Sequence, residues 1–259
     1  MSLPQTDTLL EVSQASKRYR KTYALNKVSF ALDSGGIYGL LGPNGSGKTT
    51  CLHLITGLIQ PTQGAITLNG IAVQDKRSRA LIGFAPDDLP LPASLTGGEY
   101  LDLHDRLRGR DDSDRARALA CALGIKGDLH RQISEYSHGM KRKIQIVAAA
   151  MHRPELLILD EPFRGLDPDA AFVLRDLMQT FTASGRTILI ATHDMLRAER
   201  DCRTVLILHK GHLVDSGAPE NLHAKHGVRD METVFLKATG VIEGRQERLE
   251  TIESAFTSK

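Results

Sequence analysis

Four short runs of apolar residues are spread along the chain, and none of them alternates with polar residues. They span residues 37–41, 156–159, 187–191 and 205–208. Continuous runs of this length are typical of strands that are covered on both faces, as in a parallel sheet. We therefore expect these four segments to be neighbouring strands of one buried sheet.

Apolar side chains recur at helical spacing between these runs. One set repeats at i, i+3, i+4 and i+7 along residues 174–181, and another does so along residues 144–151. Strands that alternate with helices predict an α/β core. The dipeptides Asn69-Gly70 and Lys210-Gly211 separate apolar segments and favour hairpin turns, so additional antiparallel strands are expected.

A stretch without a strand pattern interrupts this alternation. Residues 91–153 are dominated by charged, helix-like segments. Thr96, with a glutamate three residues later, matches a capping box that opens a helix with Tyr100, Leu103 and Leu107 on one face. We expect a helical subdomain over about 91–153, inserted into a domain of residues 1–240. Residues 241–259 are expected to be a short tail, with one helix within 246–256.

Composition is that of an ordinary globular protein. Hydrophobic residues make up 41% and charged residues 25% of the 259 positions, and Lys+Arg 33 against Asp+Glu 31 give a net charge of +2. This balance argues against nucleic acid as a partner. No apolar run reaches the roughly 20 residues of a membrane-spanning helix, so we expect no membrane insertion. Three scattered cysteines favour a reducing, cytoplasmic compartment.

The clearest chemical motif is a phosphate-binding loop after the first apolar run. It consists of Gly42, Pro43, Asn44, Gly45, Ser46, Gly47, Lys48 and Thr49. Glycines let successive backbone N–H groups point at an anion, and the helix that follows adds its positive end. Lys48 supplies a cation for the outer phosphates, and the Thr49 hydroxyl can bind Mg²⁺. The pattern predicts a nucleotide-binding site.

Polar residues follow two further apolar runs. Asp160 and Glu161 come directly after residues 156–159, and His193 comes shortly after residues 187–191. Ligands of open α/β sheets gather beyond the carboxyl ends of the strands, so these residues should lie beside the phosphate loop. Asp160 is predicted to hold Mg²⁺, and Glu161 to orient or deprotonate an attacking water. His193 is predicted to hydrogen-bond the γ-phosphate and that water.

Taken in this order, the motifs resemble the nucleotide-binding subunits of ATP-binding cassette (ABC) transporters, from Leu10 to about Gly240. Residues 42–50, which end at Thr50, resemble the Walker A loop, and residues 156–161 resemble Walker B with its catalytic glutamate. Residues 165–167 resemble the D-loop. The resemblance implies a P-loop NTPase core, ATP and Mg²⁺ as ligands, and ATP hydrolysis.

Contacts to ATP outside the phosphate loop are also implied by the resemblance. Tyr19 matches the aromatic residue that stacks on adenine, although Tyr23 is a nearby alternative. Ser137 and Gly139 lie in the segment that matches the ABC signature, which in this family faces ATP held by a second subunit. The resemblance thus implies a head-to-tail dimer, expected to be a homodimer. A separate permease would hold it peripherally at the cytoplasmic face of the membrane.

Several positions depart from the family pattern. His138 and Met140 replace a glycine and a glutamine of the signature, and Arg164 replaces a small residue beside the D-loop. Asp87 stands where the Q-loop has glutamine; an acid there can still orient a Mg²⁺-bound water, so it is a predicted metal-site residue. The basic residues 141–143 are most simply explained as a solvated face.

The departures also bear on direction and on alternatives. The acidic Q-loop, the methionine-ended signature and residues 235–240 are similar to export ATPases of the ABC-2 type, which favours export. Residues 88–92 are interpreted as part of a groove for a permease helix. A non-transport ABC ATPase remains an alternative, although no coiled-coil or zinc insertion is visible in the sequence. A weakly hydrolysing nucleotide sensor is a further alternative, suggested by His138 and Asp87.

Overall fold

The computed structural model describes residues 8–87, 90–241 and 253–256. Its helices and strands follow one another along the chain. They are β1 (Thr8–Tyr19), β2 (Thr22–Asp33), β3 (Gly36–Leu41), α1 (Lys48–Ile55), β4 (Gln63–Leu68), β5 (Ile71–Ala72), α2 (Lys76–Arg79), β6 (Ile82–Ala85), α3 (Gly97–Arg108), α4 (Ser113–Ala122), α5 (His138–Ala150), β7 (Leu156–Asp160), α6 (Pro168–Ala183), β8 (Thr187–Thr192), α7 (Met195–Asp201), β9 (Thr204–His209), β10 (His212–Gly217), α8 (Pro219–His226) and α9 (Met231–Thr239).

A six-stranded sheet in the order β10-β9-β3-β8-β7-β6 forms the centre of the described part of the chain. The strands from β9 to β6 are parallel, and β10 returns antiparallel to β9. Every residue of β3, β7 and β8 is buried. The α/β core with a parallel sheet, which the continuous apolar runs predict, is therefore confirmed.

A smaller antiparallel sheet in the order β2-β1-β4-β5 packs on one face of this centre. Asn69 and Gly70 have φ angles of 50° and 72°, so they form the hairpin turn that the sequence predicts. The sequence analysis did not identify β1 and β2. Their pairing is interrupted by register shifts, for example between Val12 and Ala15, and these bulges hide the two-residue alternation.

The helices α3, α4 and α5 lie between β6 and β7 in the chain and form the inserted helical subdomain. The capping box is present: Thr96 N donates to Glu99 Oε2 at 2.8 Å, and Glu99 N donates to Thr96 Oγ1 at 3.2 Å. The prediction that Tyr100, Leu103 and Leu107 form one apolar face of α3 is wrong in part. Tyr100 is buried, but Leu103 and Leu107 are 41% and 76% exposed.

The alternation of side chains on the central strands divides the interior into two cores. On β7, Leu157 and Leu159 pack among the helices, whereas Leu156 and Ile158 face α1 and the antiparallel sheet. Within the described residues, no helix combines the length and the apolar character that crossing a bilayer requires. Residues 253–256 of the tail are helical, and the rest of the expected tail helix lies outside the described residues.

Candidate active site

The phosphate loop joins the end of β3 to α1, at the carboxyl edge of the central sheet. Two of its glycines are required by close packing. A Cβ on Gly42 would overlap the carbonyl oxygen of Leu208, and one on Gly47 would lie 2.6 Å from the carbonyl oxygen of Ala24. Gly47 also has a φ of 107°, which disfavours any other residue.

Lys48 reaches back over the loop that precedes it. Its Nζ donates to the carbonyl oxygens of Gly42 at 2.6 Å and Pro43 at 3.3 Å. Burial lowers the pKa of Lys48, while the charges of Glu161 and Asp160 oppose this shift. A desolvated ammonium that has only carbonyl partners gains strongly from a phosphate, so the donor set of the loop fits a triphosphate.

The loop borders a cleft of about 720 Å³ that is open at one side. Tyr19 and Tyr23 both line this cleft, and they are 50% and 41% exposed. The remaining lining comes mainly from the loop and the start of α1. It consists of Pro43, Asn44, Gly45, Gly47, Lys48, Thr49 and Thr50, together with Thr22, Ala24, Lys210 and Gly211. Either tyrosine is available to stack on a base, so the alternative between them stays open.

Asp160 ends β7 and is almost completely buried. Burial, with the charges of Asp87 and Glu161, raises the pKa of Asp160 to about 6 despite the nearby Lys48 and Arg142. Among the described residues, no cluster of three or more acidic, histidine or cysteine side chains forms a complete cage for a metal. Mg²⁺ in nucleotide sites typically uses one or two protein ligands besides phosphates and waters, so an acid beside the loop fits it.

Glu161 joins the ends of β7 and β8. Its backbone N donates to the carbonyl oxygen of Ala191 at 2.8 Å, and its φ is 48°, in the left-handed region. The carboxylate is held by the following strand: Oε2 accepts from Thr192 Oγ1 at 2.9 Å, and Oε1 lies 2.6 Å from His193 Nδ1 and accepts from its backbone N at 2.9 Å. The predicted pair of Glu161 and His193 is therefore in direct contact.

The signature segment lies elsewhere in the molecule. Ser137 caps α5, because its Oγ accepts from Met140 N at 3.2 Å. A Cβ on Gly139 would lie 2.8 Å from the carbonyl oxygen of Gly165, and the ring of His138 packs directly on Gly165. Ser137 and Gly139 do not line the cleft at the phosphate loop of their own chain.

Asp87 has partners that the sequence analysis did not identify. Its Oδ1 accepts from Arg142 Nη2 at 2.5 Å, and its Oδ2 accepts from Arg164 Nη1 at 2.7 Å. Arg142 is only 2% exposed, so the interpretation of residues 141–143 as a wholly solvated face is wrong for this side chain. No signal in a single sequence pairs residues this far apart. The metal role of Asp87 stays a prediction.

Comparison with known proteins decides the family, since the model of the ABC transporter family matches residues 25–164. The chain belongs to the ABC transporter family. It is 36% identical over 219 residues to the Nod factor export ATP-binding protein I of Burkholderia orbicola (strain AU 1054), covering 82% of this chain and 72% of that protein. It is 33% identical over 221 residues to the bacitracin transport ATP-binding protein BcrA of Enterococcus faecalis, covering 84% and 72%.

Solved structures agree with this assignment. The structure of an ATP-binding subunit of an ABC transporter superposes with a TM-score of 0.85 at 33% identity, covering 89% of this chain and 99% of that one. This ABC subunit therefore binds ATP with Mg²⁺ and hydrolyses ATP. Two further solved structures share the fold, with TM-scores of 0.74 and 0.71 at 22% and 24% identity; the first is described as a dimeric ATP-binding cassette and the second as part of an ABC transporter complex. The interpretations as a non-transport ATPase or a nucleotide sensor are not supported.

Proposed function

We propose that this ABC subunit powers export through a separate permease, as one of two identical copies that pair head to tail at the cytoplasmic face of the membrane. The observation that carries the proposal is the convergence of the phosphate loop, Asp160, Glu161 and His193 at one edge of the central sheet. Export is supported by relatives whose names refer to Nod factor export and bacitracin transport, although their cargoes are their own.

The phosphate loop binds the triphosphate in this proposal. Backbone N–H groups of residues 42–50 and the Lys48 ammonium contact the phosphates, and Tyr19 stacks on the adenine. Thr49 and Asp160 hold Mg²⁺. When bound, the ion neutralises charge on the outer phosphates.

Hydrolysis depends on the ends of β7 and β8. Glu161 orients a water and accepts its proton, since its carboxylate is fixed by Thr192 and His193. The other ring nitrogen of His193 is the group that contacts the γ-phosphate. This ring is largely exposed, so it is accessible to a ligand at this edge of the sheet.

The signature segment supports the head-to-tail pairing. Ser137 is exposed at the N-terminus of α5 and lies outside the cleft of its own chain, so ATP bound by a second copy is the ligand that Ser137 and Gly139 contact. Residues 1–240 form the ATP-binding domain in this proposal, with the helical subdomain at about 91–153 and a tail at 241–259.

The permease contact is proposed for a groove beside β6. Pro90, Leu91 and Pro92 line it together with Phe84 and Tyr100, and His104, Arg108 and Gln145 add polar groups. This mainly apolar lining suits a helix of the partner. The other two residues of the expected contact segment, Asp88 and Leu89, lie outside the described residues.

Glu161→Gln tests the assigned base. Because the amide cannot accept the proton, we expect kcat for ATP to fall at least about 100-fold while Mg-ATP still binds. An ATP-bound dimer should then accumulate in size-exclusion chromatography. Lys48→Ala is the matched control, since it should abolish Mg-dependent ATP affinity in calorimetry. Hydrolysis by Glu161→Gln at the wild-type rate would contradict the assignment.

A further inference from the structure

Residues from three segments of the chain meet at one carboxylate. Asp87 follows β6, Arg142 lies in α5, and Arg164 lies in the turn of residues 161–167 that follows β7. We call Asp87, Arg142 and Arg164 the aspartate latch. None of the motifs in the sequence accounts for these contacts, which join residues 55 and 77 positions apart.

The contact of the latch with α5 is buried. The Arg142 side chain is 1% exposed, and besides the Asp87 carboxylate it contacts the carbonyl oxygens of Pro86 at 2.7 Å and Asp87 at 3.2 Å. Its Nε has no hydrogen-bond partner among the residues that the structure describes. Because a buried guanidinium needs a counter-charge, Arg142 depends on an acid at position 87.

The ion pair between Arg164 and Asp87 joins the latch to the turn, and it is partly exposed to solvent. The Arg164 side chain is 63% exposed, and its Nη1 donates to Asp87 Oδ2 at 2.7 Å. The backbone N of Arg164 donates to the carbonyl oxygen of Glu161 at 3.1 Å, so the turn begins at the proposed base. One backbone hydrogen bond therefore links Arg164 directly to the proposed base.

Further contacts show that the turn is fitted to the first turns of α5. The ring of His138 packs on Gly165, and Lys143 Nζ lies 3.8 Å from Asp167 Oδ2. These contacts are steric or long, whereas the latch supplies a short ionic contact at Arg164, in the middle of the turn. The pairing also explains the chemistry of position 87, since a carboxylate can accept from two guanidiniums but an amide has one oxygen.

We propose that Asp87 is a positioning residue, which holds Arg164 and the turn of residues 161–167 against α5 and thereby sets the placement of Glu161. This inference rests on the proposed role of Glu161. It assigns to Asp87 an effect on kcat, through Arg164, and no direct part in binding Mg²⁺.

Substitution of Arg164 tests the latch without uncovering Arg142. We expect Arg164→Ala to lower kcat for ATP about three- to tenfold, with KM for ATP and the Mg²⁺ concentration for half-maximal nucleotide binding within about twofold of wild type. Arg164→Lys should restore part of kcat, because an ammonium can still contact one oxygen of Asp87. Arg77→Ala is the matched control, since Arg77 pairs with Asp75 at 2.7 Å in an exposed ion pair at α2.

A double-mutant cycle with Asp87→Asn shows whether the two residues act together. We expect the double variant to have the kcat of the more impaired single variant. Raising NaCl from about 0.05 M to about 0.5 M should lower kcat of the wild type more than that of Arg164→Ala, because salt screens the exposed contact. If thermal unfolding shows that Asp87→Asn does not fold, the two Arg164 variants and the salt series carry the test.

Two outcomes would overturn the latch. The first is a kcat of the Arg164→Ala variant that equals the kcat of the wild type. The other is an Mg²⁺ requirement for nucleotide binding that rises more than about tenfold in Asp87→Asn but not in Arg164→Ala, which would place Asp87 at the metal. Both leave the proposed function intact, whereas absence of ATP hydrolysis by the wild type with its partners would overturn the proposed function itself.

Discussion

The two parts of the nucleotide machinery differ in how far the chain satisfies its own polar groups. Around the phosphate loop, Ser46 Oγ is buried and has no partner within the described part of the chain, the pKa of Lys48 is lowered by burial, and the pKa of Asp160 is raised to about 6. Around the signature segment, Ser137 caps its helix and both carboxylate oxygens of Asp87 are paired, and among the described residues the Nε of Arg142 is the buried atom of this cluster that lacks a partner.

This difference indicates what each part requires from a ligand. Buried groups without hydrogen-bond partners are costly, so we expect phosphates and a divalent cation to stabilise the phosphate loop when they bind. Ser137 and Asp87 of the signature side have their contacts within the chain, and the function of this side depends on keeping their geometry. We therefore expect substitutions that disturb these contacts to destabilise the protein, whereas removal of a polar side chain beside the phosphate loop should leave or even raise the stability of the nucleotide-free protein.

The largest effect is expected on the signature side, from Gly165→Ala. Gly165 has a φ of 75°, and its new Cβ would overlap the ring of His138. We expect a loss of about 2–4 kcal/mol in the free energy of unfolding, measured with urea, from backbone strain and overlap together.

Two variants isolate the contribution of the His138 ring. Gly185→Ala places a Cβ at a φ of 84° with nothing within 4 Å, so it should show the strain alone, about 1 kcal/mol. Adding His138→Ala to Gly165→Ala should recover the difference. Equal losses in the Gly165 and Gly185 variants would show that the ring does not restrict this turn.

On the phosphate side, Asp160→Asn should stabilise the nucleotide-free protein. The pKa of Asp160 is raised from 3.8 to about 6, so the carboxyl opposes folding increasingly as the pH rises through this window. We expect a gain of up to about 3 kcal/mol in the free energy of unfolding at pH 8 and about half of that at pH 5. Stabilisation by Mg-ATP should be lost in the same variant.

Asp114→Asn is the control for this pH dependence, because the Asp114 side chain is 99% exposed. Its unfolding free energy should follow that of the wild type at both pH values. A stability of Asp160→Asn that is equal to wild type at pH 8 would mean that Asp160 is better solvated than its burial indicates.

The parts of this site that the sequence predicts are those whose chemistry is local. The continuous apolar run before Gly42 and the glycine spacing up to Lys48 specify a strand, a loop and a helix within a few residues. Thr96 and Glu99 likewise specify a helix start with two side chains. Each pattern involves only residues that are close in sequence, so the local structure it specifies depends little on contacts with distant residues.

The parts that the sequence does not predict depend on distant contacts. The sequence predicts that Arg142 is at the surface, because it lies between two lysines. In the structure its side chain is buried and paired with Asp87. Leu107 reads as part of an apolar helix face, yet it is exposed because the helical subdomain packs on Tyr100 instead. Such choices are made by packing between elements, which periodicity along one element does not record.

The smallest effect is expected from Ser46→Ala, which removes the hydroxyl without a partner. Because no hydrogen bond is lost, the free energy of unfolding should change by less than about 0.5 kcal/mol, whereas Mg-ATP affinity should fall about three- to tenfold in calorimetry. Thr56→Val is the matched control: Thr56 Oγ1 is buried and donates to the carbonyl oxygen of Leu52 at 2.9 Å, so its loss should cost about 1 kcal/mol without affecting affinity. If Ser46→Ala destabilised the protein as much as Thr56→Val does, the Ser46 hydroxyl would have a hydrogen-bond partner within the chain. The phosphate loop would then depend less on its ligand than the comparison with the signature segment indicates.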